Sequence, residues 1–244
     1  MRSAWMMLAV ALVEGPRPAD EALVTLDSVL ADHPFAGGVL ARAVLLAMLD
    51  RIEEAWAIAL PAEKRLREFG LSSGGEWLGE IALVAGDYEA AAGHLRDACE
   101  ALEAANNLGE LSSYVALLGR VLCLLGRYDE AEPLAHRGRE LGDANDVMTQ
   151  QVWRQAQSLI RSSREEHPEA ERLAREAVDF SRLGDAPFWQ GLALSDLAEV
   201  LEAAGRRDEA AAALREALEC YERKPVIPAA RRTRERLPAI ELAR

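Results

Sequence analysis

Apolar residues recur along this chain at steps of three and four. In Tyr88 to Ala105 the residues Ala91, Ala92, Leu95, Ala98, Cys99 and Leu102 form one stripe, while Glu89, Arg96, Asp97 and Glu100 fall away from it. That is the pattern of a helix with one buried face. Glu171 to Phe180 repeats the design with Leu173, Ala174, Ala177 and Phe180. No run of four or more residues between turn signals alternates strictly between apolar and polar, so strands are not expected. The connectors are short and polar: Asn106 to Gly109, Gly142 to Asp146, and Gly184 to Pro187. Their Gly and Asn residues suit helix C-caps, and their Asp residues suit the N-cap of the next helix.

These helices also keep a phase. Three segments share a small residue, a spacer, a polar or glycine turn and then Glu-Ala. They run from Gly79 to Gly86-Asp87-Tyr88-Glu89-Ala90-Ala91, from Gly119 to Gly126-Arg127-Tyr128-Asp129-Glu130-Ala131, and from Ala198 to Gly205-Arg206-Arg207-Asp208-Glu209-Ala210. Between the last two lies Pro168-Glu169-Ala170, with Ser158 at the small position. Ala91, Ala131, Ala170 and Ala210 are therefore 40, 39 and 40 residues apart. Upstream the frame continues more weakly at Ala55 (after Ala43) and Ala22 (after Val10), with spacings of 36 and 33. A period of this length marks stacked helical hairpins, here about six.

The pattern resembles the tetratricopeptide repeat family, in which small residues stand where paired helices cross closely and an aromatic covers the turn. Gly79, Gly119, Ser158 and Ala198 fit the small position, and Tyr88 and Tyr128 fit the turn. Val10 at the small position of the first repeat, Glu165 in place of the fifth turn glycine and Arg207 in place of the sixth aromatic depart from it. The resemblance implies an all-α, right-handed α-solenoid over residues 1–222, with hairpins at about 3–34, 36–69, 73–106, 109–142, 146–183 and 187–222. Residues 223–244 follow as a capping helix and basic tail, with Pro228 in the first turn of that helix.

Composition sharpens this. The chain has 244 residues, is 50% apolar and carries a net charge of -13, which excludes a disordered acidic tail. Nucleic acid is not expected, because a net-negative surface gains little from counterion release. Residues 221–244 reverse the sign, with seven basic and three acidic side chains, a net of +4. Arg231, Arg232, Arg234 and Arg236 fall in the last helix, so a phosphate-binding arm competes with a simple cap. Cys99, Cys123 and Cys220 form no C-x-x-C pair, a usage of the reducing cytoplasm, and each is expected to pack as a small apolar residue. The apolar stretch Ala4 to Val13 is too short to span a bilayer and is expected as a buried first helix, so no membrane role is expected.

From about Ser112 to Leu237 a narrower similarity emerges. Leu125 to Glu132, Trp153-Arg154, Glu169 to Val178, Asp196 to Leu201 and Tyr221 to Lys224 resemble the C-terminal repeat region of large bacterial signalling proteins. Those proteins join a nucleotide cyclase or regulator output domain to a signal-transduction ATPase. The resemblance implies a sensory or scaffold segment, free-standing or part of a longer protein. No G-x-x-x-x-G-K-[ST] loop occurs in the sequence, so their catalysis is not carried over.

Few residues suggest chemistry of their own. Gly70-Leu71-Ser72-Ser73-Gly74 satisfies G-x-S-x-G, yet a charged helical stretch leads into it where a nucleophile elbow needs a strand, so an inter-repeat loop is expected. His94 with Asp97 and Glu100 lacks the two-histidine spacing of a zinc site, and a solvated helix face is expected. Neither a catalytic residue, a metal nor a cofactor is assigned. Trp77, Trp153 and Trp189, near the starts of first helices, are expected to pack between hairpins.

What remains is the inner wall built from the first helix of each hairpin. Counting from the small positions puts Glu76 and Glu80, Ala116 and Arg120, Gln155 and Leu159, and Ser195 and Glu199 in the concave groove. The row is polar at its middle and acidic at both sides, which suits a basic peptide or partner domain. The expectation is a non-catalytic, cytoplasmic protein-interaction scaffold of bacterial signalling, and a homodimer is compatible with it. The alternative is a small-ligand sensor that closes around an effector.

Overall fold

A computed structural model describes residues 4–68 and 74–242, and among these it has thirteen helices and no strand. The first four are α1 (Ala4–Glu14), α2 (Ala19–Asp32), α3 (Ala36–Met48) and α4 (Ile52–Glu68). Then come α5 (Gly75–Ala85), α6 (Tyr88–Ala104), α7 (Leu108–Leu124) and α8 (Tyr128–Leu141). The rest are α9 (Val147–Ser163), α10 (His167–Ser181), α11 (Pro187–Ala203), α12 (Arg207–Arg223) and α13 (Ile227–Leu242). Gly70 to Ser73 of the G-x-S-x-G string lie outside the described residues.

Each odd helix up to α11 packs against the even helix after it, and α3, α5, α7, α9 and α11 also meet the helices of neighbouring pairs. The result is an all-α helical repeat. Local chemistry explains the turns within pairs. Asp50, Gly86, Gly126, Glu165 and Gly205 each take a left-handed φ of 60–85° at the same point of five successive pairs. Glycine adopts that region without penalty, whereas Asp50 and Glu165 each cost about 1–2 kcal/mol there. Asp87 and Asp146 cap the next helices by accepting from Ala90 N–H and Thr149 N–H.

Close crossing requires the small residues. A Cβ on Gly119 would lie 3.1 Å from the Ala131 carbonyl oxygen and 3.2 Å from Ala135 N, so α7 and α8 meet there backbone to backbone. Tyr88 and Tyr128 pack against the core at the turns, as do Trp77, Trp153 and Trp189 near the starts of their helices. The three cysteines are free; Cys99 and Cys123 are buried and Cys220 is half-buried.

The first helix differs from its expectation. Ala9, Leu12 and Val13 are buried, but Trp5 and Met7 are 40% and 58% exposed. Helix α1 is covered by α2, α3 and α11 on part of its circumference only, and Trp5 and Met7 fall on the part left uncovered.

The two ends of the array are joined. Lys224, just after α12, is fully buried and its Nζ donates to the carbonyls of Leu12, Gly15 and Arg17 at 2.7, 2.8 and 2.8 Å. Its own carbonyl accepts from Ala19 N–H at 3.2 Å. Helix α1 touches α11, and α13 packs on α12 and reaches across to α5.

Candidate partner-binding groove

The eight groove residues named from the sequence lie on α5, α7, α9 and α11, two to a helix. Their exposure is uneven. Ala116, Arg120, Gln155, Leu159 and Glu80 are buried, at 0–5% exposed, while Glu76, Ser195 and Glu199 are half-buried. The buried members are engaged inside the chain. Arg120 makes a bidentate pair with Asp196, Nε to Oδ2 at 2.6 Å and Nη2 to Oδ1 at 2.8 Å. Gln155 Nε2 donates to the same carboxylate at 2.7 Å and Gln155 Oε1 accepts from Gln151 Nε2, which also bonds the Trp189 carbonyl. Three helices, α7, α9 and α11, are thereby tied through one carboxylate. Ser195 Oγ meets Tyr221 OH at 3.1 Å.

Electrostatics follows from this closure. Burial works against the charge of Arg120, but Asp196 outweighs it and holds the guanidinium above its ordinary pKa. Burial pushes the Glu80 carboxyl well above the usual carboxylate range, with Glu14 and Glu76 adding repulsion. Glu199 is raised as well, by burial and by Asp196, against the pull of Arg236 and Arg120. The wall is acidic on both sides of the Arg120 pair.

Helix α13 lies against this acidic wall. Arg231 pairs with Asp50 at 2.7 Å, and Arg232 donates through Nη1 and Nη2 to the Val84 carbonyl, both at 3.1 Å, near the C-terminus of α5. Arg236 reaches Glu202 at 2.8 Å and Glu199 at 3.8 Å on α11. Arg234 pairs back to Glu222 at 2.6 Å. The arginines of the expected basic tail are therefore held by carboxylates and by one helix C-terminus, a favourable place for a cation. Between α13 and the wall remains a cavity of about 240 Å³, bordered by Arg120, Asp196, Tyr221 and Thr233 among others. Arg120 Nη1 is buried and has no hydrogen-bond partner among the described residues.

Sequence reasoning missed Asp196, Gln151 and Tyr221, and the role of Asp50. Asp196 carried a signal, a carboxylate set among Leu192, Ala193, Leu194, Leu197 and Ala198 of one helix. The others look like ordinary surface polar residues until the solenoid bends them together. Elsewhere His94 lies half-buried against Trp56, ring centroids 5.5 Å apart, and burial lowers its pKa. No cluster of three metal-ligating side chains occurs among the described residues. No helix of the described residues is long and apolar enough to cross a membrane.

Comparison with known proteins bears on the fold. Residues 192–224, covering most of α11 and all of α12, match the tetratricopeptide repeat model. No curated protein matches the chain. Among solved structures, a chain of the APC/C hetero-tetramer Cut9-Hcn1 is similar with a TM-score of 0.67 and 14% identity, over 97% of this chain and 43% of that one. This chain thus spans less than half the length of that relative. BtubC (BKLC) from P. vanneervenii is similar with a TM-score of 0.53 and 14% identity, over 90% of this chain and 91% of its own. The likenesses show an all-α helical repeat fold, and within it residues 192–224 match a tetratricopeptide repeat.

Proposed function

We propose that the chain is a non-catalytic protein-interaction scaffold whose inner wall takes a basic amphipathic helix, and that α13 occupies that place until a partner displaces it. The seating of α13 carries the reading. Arg231 and Arg236 are matched by Asp50, Glu199 and Glu202, and Arg232 caps α5. A partner helix with arginines at the same spacing would meet the same acceptors. Glu76, half-buried, extends the acidic wall toward a basic partner, whereas Ala116, Arg120, Gln155, Leu159 and the buried Glu80 give it rigidity. The similarity of residues 112–237 to repeat regions of bacterial cyclase and ATPase regulators favours a cytoplasmic signalling partner.

A labelled peptide of residues 227–242 tests this directly by fluorescence anisotropy. The full chain is expected to bind it weakly, because its own α13 competes at high effective concentration. The double variant Arg231→Glu, Arg236→Glu releases α13 and is expected to bind it at least tenfold tighter. Equal or absent binding in both proteins rejects the reading.

The cavity beneath α13 favours a second reading, a sensor of a small anion. Arg120 Nη1, buried and without a partner, offers one donor there. Acetate is then expected to raise the melting temperature with no partner protein present, and Ala229→Leu, which fills the cavity, is expected to abolish the rise.

A further inference from the structure

A second hollow lies between α8, α9 and α10, and α13 contributes nothing to it. Its volume is about 450 Å³, within the range of small-ligand sites. The chain as a whole carries -13, yet four arginines and only two glutamates line this hollow. Both glutamates are already taken up by arginines. Glu169 pairs with Arg172 at 2.6 Å, and Glu176 is shared between Arg172 and Arg154. Arg154 is fixed further by stacking between Trp153 and Phe180, 4.2 and 4.3 Å from the ring centroids.

Arg161 pairs with Glu166 at 2.9 Å, and among the remaining donors two matter most. Arg139 is exposed, sits 5.1 Å from the Trp153 ring centroid and has no carboxylate partner among the described residues. Gln157 is 5% exposed and lines the hollow, and its Nε2 is buried with no hydrogen-bond partner among the described residues. A buried amide donor left unbonded costs about 1–3 kcal/mol, so such a group calls for an acceptor. Trp153, Gln157 and Arg161 follow one another at four-residue steps along one face of α9.

We propose that this hollow is a binding site for a small ligand bearing an oxyanion, a phosphate or a carboxylate. Gln157 Nε2 gives the buried hydrogen bond, Arg139 supplies the charge-assisted one, and the Trp153 to Arg154 stack forms a stiff wall. Phosphate and carboxylate oxygens both accept from a guanidinium fork and an amide together. The proposal does not depend on the groove or on α13.

Side-chain amide and indole NMR signals of the full chain, titrated with inorganic phosphate or with malonate against chloride at equal ionic strength, test it. Saturable movement of the Gln157 amide and Trp153 indole signals is expected. The stronger of the two probes identifies the ligand as a phosphate or a carboxylate. Gln157→Leu removes the unbonded donor in a side chain of similar size and is expected to fold, and Arg139→Gln changes an exposed side chain. Each is expected to weaken binding at least tenfold. Absence of saturable movement with both probes, or binding that neither variant weakens, overturns the proposal.

Discussion

The two halves of the array bury different things. In the first half the odd helices are short, at 13 residues for α3 and 11 for α5, and their buried faces are almost wholly Leu, Val, Ile, Ala and Gly. In the second half α7, α9 and α11 are each 17 residues long and bury polar groups that bond to each other. Besides the Asp196 network, Thr149 Oγ1 meets Ser112 and Ser113 at 3.0 and 2.6 Å and donates to Asp146 at 2.7 Å. An apolar face permits sliding between stacked helices with little change in energy, whereas a buried polar network is satisfied in one register only. The second half is therefore the part whose geometry the side chains specify.

The largest expected effect breaks that specification. Arg120→Met leaves Asp196 buried without its cation and is expected to cost about 3–5 kcal/mol in urea unfolding. Combining it with Asp196→Leu is expected to restore much of the loss. In the first half the exposed pair Arg42 and Asp27, also 2.6 Å apart, is expected to contribute less than about 1 kcal/mol, read from Asp27→Asn. Similar costs in both halves would show that the two halves are specified alike.

Next in size is Lys224. Replacement by Met leaves the carbonyls of Leu12, Gly15 and Arg17 without their donor, an expected cost of about 2–4 kcal/mol. Burial pulls the lysine pKa down to about 8, with Arg17 adding to the shift, while an unfolded lysine titrates near ~10.4. Between these values the unfolded chain binds more protons, so stability rises with pH from about 8 to about 10. Denaturant midpoints across that window are expected to show the rise in the native chain and not in Lys224→Met.

The smallest effect concerns the turns. Glu165→Gly relieves a left-handed residue in the second half and is expected to stabilise by about 1 kcal/mol. Gly126→Ala, one repeat earlier, is expected to destabilise by a similar amount. Thermal midpoints of the two variants moving in opposite directions would bear this out.

The helical repeat was legible in the sequence because its causes are local. Gly86, Gly126 and Gly205 punctuate the turns, and the three-and-four spacing of Ala91 to Leu102 depends on neighbours within one helix. The groove was less legible. The positions chosen are on the odd helices as expected, but whether a side chain there meets solvent or Asp196 depends on how far the stack curves. Arg120 and Asp196 are 76 residues apart, and no spacing within one repeat connects them. Helix α13 shows the same limit, since its arginines were visible as charge and their acceptors were scattered over Asp50, Val84, Glu199 and Glu202.

The bond from Lys224 to the chain's beginning has a consequence for how the molecule comes apart. An open array frays from its terminal units, each held by one neighbour, and loses structure stepwise. Here the outermost pairs are buttoned to each other, so neither can peel away first without breaking the clasp, and melting becomes closer to an all-or-none event.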